Sequence, residues 1–128
     1  MTKIAFVSSE RPEAKNSLKI LKRMYTNVSP EKADIIVALG GDGTILKSLH
    51  SFLKSKKPIY GMNRGNVGFL MNQYSEKELH KRLSEAISYK LHPLKIKSFH
   101  EDGNVQNSLA FNDISMIRNS SKIAKIKI

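Results

Sequence analysis

Cysteine is missing from this 128-residue chain, as is tryptophan. Without cysteine, disulfides and cysteine-based zinc sites are excluded. Aromatics make up only 7% of the residues. No basic stretch is interleaved with the stacking rings that single-strand nucleic-acid binders need. Long apolar runs are also missing: the longest are strand-length, such as Ile35-Ile36-Val37-Ala38-Leu39. Nothing is long enough to span a bilayer. The first residues, Met1 to Val7, lack the apolar region and cleavage site of a secretory signal. A soluble, bacterial-type cytoplasmic protein is the simplest expectation. Acids are scarce, with 11 Asp and Glu against 22 Lys and Arg and a formal net charge of +11. Such a field favours phosphorylated partners or polyanions. Much of the charge reads as a wet surface, because Lys15, Lys19 and Lys22 recur at helical spacing away from Leu18, Leu21 and Met24.

What is present has a clear order. Lys3 to Val7 is an apolar, strand-like run. A helix is expected from about Pro12 to Tyr25, and a second strand from Asp34 to Leu39. Gly40-Gly41-Asp42-Gly43-Thr44 follows, with a helix opening at Thr44 and an apolar stripe of Ile45, Leu46, Leu49, Phe52 and Leu53. Pro58 to Met62 is a third strand. Ser75 and Glu78 form a capping-box pattern ahead of Leu79, Leu83, Ala86 and Ile87. Strand–helix repeated three times, with strands apolar on both faces, predicts an α/β domain with a parallel sheet and flanking helices. After His92-Pro93 the pattern changes to strands at Leu94–Phe99, Gln106–Ile117 and Lys122–Ile128, the start of an antiparallel, β-rich second domain. The expected domains are 1–93 and 94–128. Because the last pattern stops in mid-strand, the chain is expected to be a fragment or to need another chain.

The glycine-rich turn lies where open α/β sheets bind ligands, at the carboxyl end of a buried strand. Gly40, Gly41, Gly43 and Thr44 read as a phosphate loop, in which bare backbone N–H groups and a helix N-terminus meet an anion. Asp42 is unusual there: a carboxylate beside phosphates makes sense if it holds a metal, orients a sugar hydroxyl or accepts its proton. A bland alternative makes Asp42 a helix cap. Neither the P-loop nor the Rossmann fingerprint is matched. Asn112 and Asp113 are polar residues inside an apolar strand pattern, so they need partners, as a bulge, a core pair or a ligand site. His50, His80, His92 and His100 show no ligand-like spacing.

Gly40 to Thr44 resembles the shared signature of the NAD kinases, the diacylglycerol and sphingosine kinases and the 6-phosphofructokinases. The continuation Ile45-Leu46-Lys47-Ser48-Leu49-His50 lacks the Asn-Glu of the lipid branch and is similar to NAD kinases, as are Gly61 to Leu70 and Asn112-Asp113. The resemblance covers nearly the whole chain and implies the amino-terminal portion of an NAD kinase. It implies phosphorylation of the adenosine-ribose 2′-hydroxyl of NAD, with ATP or polyphosphate as donor and Mg²⁺ or another divalent metal as cofactor. It implies Asp42 as catalytic residue, and Gly41, Asp42, Gly43, Lys47, Phe69, Asn112 and Asp113 on the dinucleotide, with Asn112 toward adenine and Asp113 toward ribose. No metal ligand from the protein is singled out. A homo-oligomer is expected for the complete protein, without membrane or specific nucleic-acid partners. The alternatives are a lipid or sugar kinase of the same superfamily, or a non-catalytic nucleotide- or nucleic-acid-binding fragment.

Overall fold

The computed structural model describes residues 1–117, 121, 123 and 125–127. Two compact units divide the chain, Met1–Leu91 and His92–Ile128. The first holds a three-stranded sheet in the order β1 (Ile4–Ser8), β2 (Ile35–Gly40), β3 (Ile59–Asn63), with both pairings parallel. Phe6 pairs with Val37 and Val37 with Tyr60, which places β2 at the centre.

Strand alternation sorts the core onto two faces. Ile4, Phe6, Val37, Leu39, Tyr60 and Met62 pack with Ala14 and Leu21 of α1 (Pro12–Met24) and Leu79 of α3 (Leu79–Glu85). Ala5 and Ile36 point the other way and pack with Ala33, Val7, Ile59 and Phe52. On that side, Gly61 of β3 stands against Ile45 of α2 (Asp42–Ser51). β2 is the most apolar strand because helices cover both its faces, so Ile36 through Leu39 are all buried. α1 starts with Pro12 where a missing N–H costs nothing, and it buries Ala14, Ser17 and Leu21 at spacings of three and four. Met24, expected on this inner face, is exposed, since Tyr25 continues the stripe instead.

The structure moves several expected boundaries. α2 opens at Asp42, not Thr44, with Gly41 as its N-cap. The capping box at Ser75 and Glu78 does not form. Ser75 Oγ accepts from the Lys77 N–H at 3.2 Å, and Glu78 adopts a left-handed backbone (φ 53°), so α3 begins only at Leu79. Its helix ends at Glu85, leaving Ala86 and Ile87 outside.

The second unit carries an antiparallel pair, β4 (Leu94–Phe99) with β5 (Val105–Ala110). Turn residues join them: Gly103 has φ 84°, and Asp102 accepts from the Asn104 N–H at 2.9 Å. The strand expected over 106–117 stops at Ala110, before the poorly strand-forming Asn112-Asp113. Of the strand expected at Lys122–Ile128, Lys122, Ala124 and Ile128 lie outside the described residues, and the described Ile123, Lys125, Ile126 and Lys127 are not in a strand. Among the described residues, no helix is long and apolar enough to cross a membrane.

Candidate active site

β2 delivers its last residue, Gly40, into a tight bend. A Cβ on Gly40 would stand 2.9 Å from Thr44 Cβ and closer still to Thr44 Oγ1, with Ser9 Cβ at 3.2 Å. Bare backbone is what lets the first turn of α2 fold back against the strand end. Gly40→Ala is therefore expected to destabilise the first unit by about 1–3 kcal/mol through overpacking. The check is the midpoint of urea unfolding, and an unchanged midpoint would show that Thr44 yields freely.

Gly41 and Gly43 serve differently. A Cβ on either would meet nothing within 4 Å, so packing does not demand glycine there. They leave the backbone bare beside a cleft of about 310 Å³ whose walls include Arg11, Gly41, Asp42, Thr44 and Gly65. As N-cap and first-turn residues, Gly41, Asp42 and Gly43 carry N–H groups with no intrahelical acceptor. The positive end of the α2 dipole adds to them, which suits an anion.

The opposite wall is the segment between Asn63 and Asn72, which leaves β3 and returns beside it. Asn63 N–H donates to the Asn72 carbonyl at 2.8 Å, and Asn72 N–H to the Gly61 carbonyl at 2.9 Å. Arg64 N–H donates to the Gly40 carbonyl at 2.7 Å, which joins the loop directly to the glycine turn. The Arg64 side chain is also committed. Its Nε donates to the buried Ser17 Oγ at 2.7 Å, and its guanidinium lies 3.7 Å over the Tyr74 ring.

Asp42 closes the arrangement. Its Oδ2 accepts from the Phe69 N–H at 2.8 Å, and its Oδ1 from the Leu70 N–H at 2.9 Å. The carboxylate is thus a strut to the loop, not a cap for its own helix, which has no side-chain cap bond. Gly68 makes room for it: a Cβ there would stand 2.9 Å from Oδ2 and nearer to Cγ and Oδ1. Two backbone donors fill about half of the four acceptor positions of an ionised carboxylate. The remaining lone pairs stay open to a further donor in the cleft that Asp42 lines.

The other candidate residues are placed as follows. Phe69 contributes its N–H to Asp42 while its ring is fully exposed. Lys47 is exposed on α2 and lines a second cleft of about 370 Å³ with Ser9, Glu10 and Thr44. Glu10, at that cleft, is held below the usual carboxyl range first by its hydrogen bond to Lys15, then by the Lys15 charge, with Lys47 adding least. Asn112 and Asp113 belong to the second unit, exposed just after β5, where Asn112 Nδ2 donates to Asp113 Oδ2 at 3.0 Å. Sequence reasoning did not single out Arg11, and it read Gly65 and Gly68 only as part of the Gly61 to Leu70 resemblance. Arg11 could have been found, because its turn follows a parallel strand on the ligand-binding edge. The approach of Gly68 to Asp42 could not, since the two lie 26 residues apart.

Among the described residues, no three His, Cys, Asp or Glu side chains are grouped to hold a metal ion. Among the described residues, Asp42 is the one carboxylate lining the first cleft, so these residues do not by themselves make a cage for a divalent cation.

Comparison with known proteins is consistent over the whole length. Residues 2–90 match the family described as the ATP-NAD kinase N-terminal domain. An NAD kinase from Caulobacter vibrioides is 45% identical over 128 residues, all of this chain and 49% of that relative. Those of Rhizobium meliloti and Brucella suis are 42% and 46% identical, over 98% and 96% of this chain and 49% and 48% of theirs. The chain thus spans about half the length of the curated relatives it matches.

Proposed function

This chain belongs to the NAD kinase family, and we propose that the protein carrying it phosphorylates the 2′-hydroxyl of the adenosine ribose of NAD, giving NADP. The observation that carries this is the Asp42 carboxylate, fixed by two backbone donors at the lip of a glycine-built cleft on the carboxyl edge of a parallel sheet. Phosphoryl transfer needs mostly positioning and charge stabilisation, with modest proton abstraction. Asp42 orients the ribose hydroxyl and accepts its proton through the lone pairs that Phe69 and Leu70 leave open. The bare N–H groups of Gly41 and Gly43 face phosphate oxygens, and Gly40 and Thr44 set the bend that presents them. Phe69 offers an exposed aromatic face to a base of the dinucleotide. Lys47 supplies positive charge at the neighbouring cleft. Asn112 and Asp113 take the adenine and ribose sides of the adenosine.

ATP is the donor in this reading. A divalent cation bound with ATP would supply charge neutralisation at the phosphates, and Asp42 is the carboxylate of the described cleft lining that could approach it. Cytoplasmic location, expected from the sequence pattern, and homo-oligomeric assembly, expected for the complete protein, belong to the same reading.

The test is direct. The intact protein is incubated with NAD, Mg²⁺ and either ATP or polyphosphate, and NADP is read with an NADP-specific dehydrogenase. NADP formation with at least one donor is the expected result. No NADP, with phosphorylation of diacylglycerol or fructose 6-phosphate under the same conditions, overturns it.

A further inference from the structure

Two arginines stand near the glycine turn, Arg64 in the loop from Asn63 to Asn72 and Arg11 at the start of α1, and they have opposite fates. Arg64 is consumed by Ser17 and Tyr74. Arg11, the exposed N-cap residue of α1, has no side-chain hydrogen bond or carboxylate partner among the described residues. Its guanidinium nevertheless has a defined place. The point where a Cβ on Gly65 would stand is 3.6 Å from Arg11 Nη1 and 3.5 Å from the Gly41 backbone nitrogen. A guanidinium and a helix-capping N–H thus flank one spot on the wall of the cleft, and glycine keeps that spot empty.

A second feature of the same turn agrees with this. Ser9 lines both clefts, and its Oγ is buried without a hydrogen-bond partner among the described residues. A buried hydroxyl left unpaired is uncommon and costs free energy until something accepts from it. Charge-assisted, fork-shaped donors are what phosphate oxygens are held by.

The geometry points to a phosphate-binding corner formed by Arg11 with the Gly41 N–H across Gly65, receiving an oligophosphate of a bound nucleotide. This rests on the proposed nucleotide chemistry of the cleft and adds a residue to it. Two sources share that chemistry, the triphosphate of the donor and the pyrophosphate of the dinucleotide.

Two variants probe the corner independently. Arg11→Ala removes the fork; it leaves the α1 cap intact, because the Arg11 side chain makes no cap bond. Gly65→Ala keeps the arginine and fills the spot at ordinary van der Waals distance, at a backbone geometry open to alanine. Binding of inorganic tripolyphosphate to the full chain is measured by calorimetry at fixed salt, with circular dichroism to verify folding. Each variant is expected to weaken binding about tenfold, the scale of one lost hydrogen bond to a charged group. Arg11→Lys should fall between, as a point charge without the fork. In the intact enzyme, a raised KM for ATP assigns the corner to the donor, and a raised KM for NAD to the dinucleotide. Unchanged tripolyphosphate affinity in folded Arg11→Ala and Gly65→Ala overturns the inference. An intact protein that binds tripolyphosphate through Arg11 but makes no NADP overturns the proposed activity and leaves the corner standing.

Discussion

Asp42→Asn in the intact protein is expected to lower kcat for NADP formation by about 10²–10⁴, the range of a positioned proton acceptor. The substitution changes two things at once. Asparagine keeps an oxygen for one of the two loop N–H groups and presents an amide NH₂ to the other, where donor meets donor. The strut between α2 and the loop is therefore weakened, at a cost of about 1–3 kcal/mol. It also loses the anionic lone pairs that would receive the ribose proton. These effects part company in the kinetics. A loosened loop changes KM for the dinucleotide and the unfolding midpoint. A missing proton acceptor lowers kcat under saturating NAD and ATP, where binding no longer limits. A kcat within tenfold of the parent, with a lowered unfolding midpoint, would leave Asp42 as a loop anchor and remove it from the chemistry.

How far the sequence foretold this site follows from the range of each interaction. The parallel sheet was readable because β2 is apolar on both faces, a local property of Ile35 to Leu39. The position of Asp42 at a strand end was readable for the same reason. Its partners were not, since Phe69 and Leu70 contribute backbone N–H groups that no side-chain pattern announces, 27 and 28 residues along the chain. Ser17 reads as an ordinary polar position on a wet helix until Arg64 arrives from 47 residues away and makes its burial tolerable. The glycines of the turn were read as one device and are two. Gly40 is required by the close approach of Thr44, whereas a Cβ on Gly41 or Gly43 would meet nothing within 4 Å. The misplaced start of α3 has a local cause that pattern reading undervalues. Ser75 spends its hydroxyl on Lys77, two residues on, which gives the backbone an alternative to a helix cap. Arg11 went unremarked because Arg-Pro before a periodic run reads as a helix start, and it is one; its approach to Gly65 depends on a loop from the far side of β3.

Gly68→Ala should do to the loop what Asp42→Asn does not, because it leaves the carboxylate in place and drives the loop away from it. The backbone at Gly68 lies outside the left-handed region, so alanine meets no conformational penalty of its own. The new methyl would sit within 2.9 Å of Oδ2 and nearer to Oδ1. Either the carboxylate rotates out or Phe69 and Leu70 withdraw, and both hydrogen bonds are lost. Bonds to a charged acceptor contribute about 1.5–3 kcal/mol each, less where water can replace the partner, as at these exposed N–H groups. A net loss of about 2–3 kcal/mol is expected in urea unfolding of the intact protein. Activity should fall with it, because the Asp42 lone pairs no longer face the cleft. The cycle with Asp42→Ala decides whether this account is right. Once alanine stands at position 42, the methyl at position 68 has nothing to strike and no bonds remain to break. The second substitution should then cost almost nothing, with a coupling of about 2–3 kcal/mol between the two sites. Strictly additive losses would mean that Gly68 is required for some other reason, and that the strut between the glycine turn and the loop does not hold the site together.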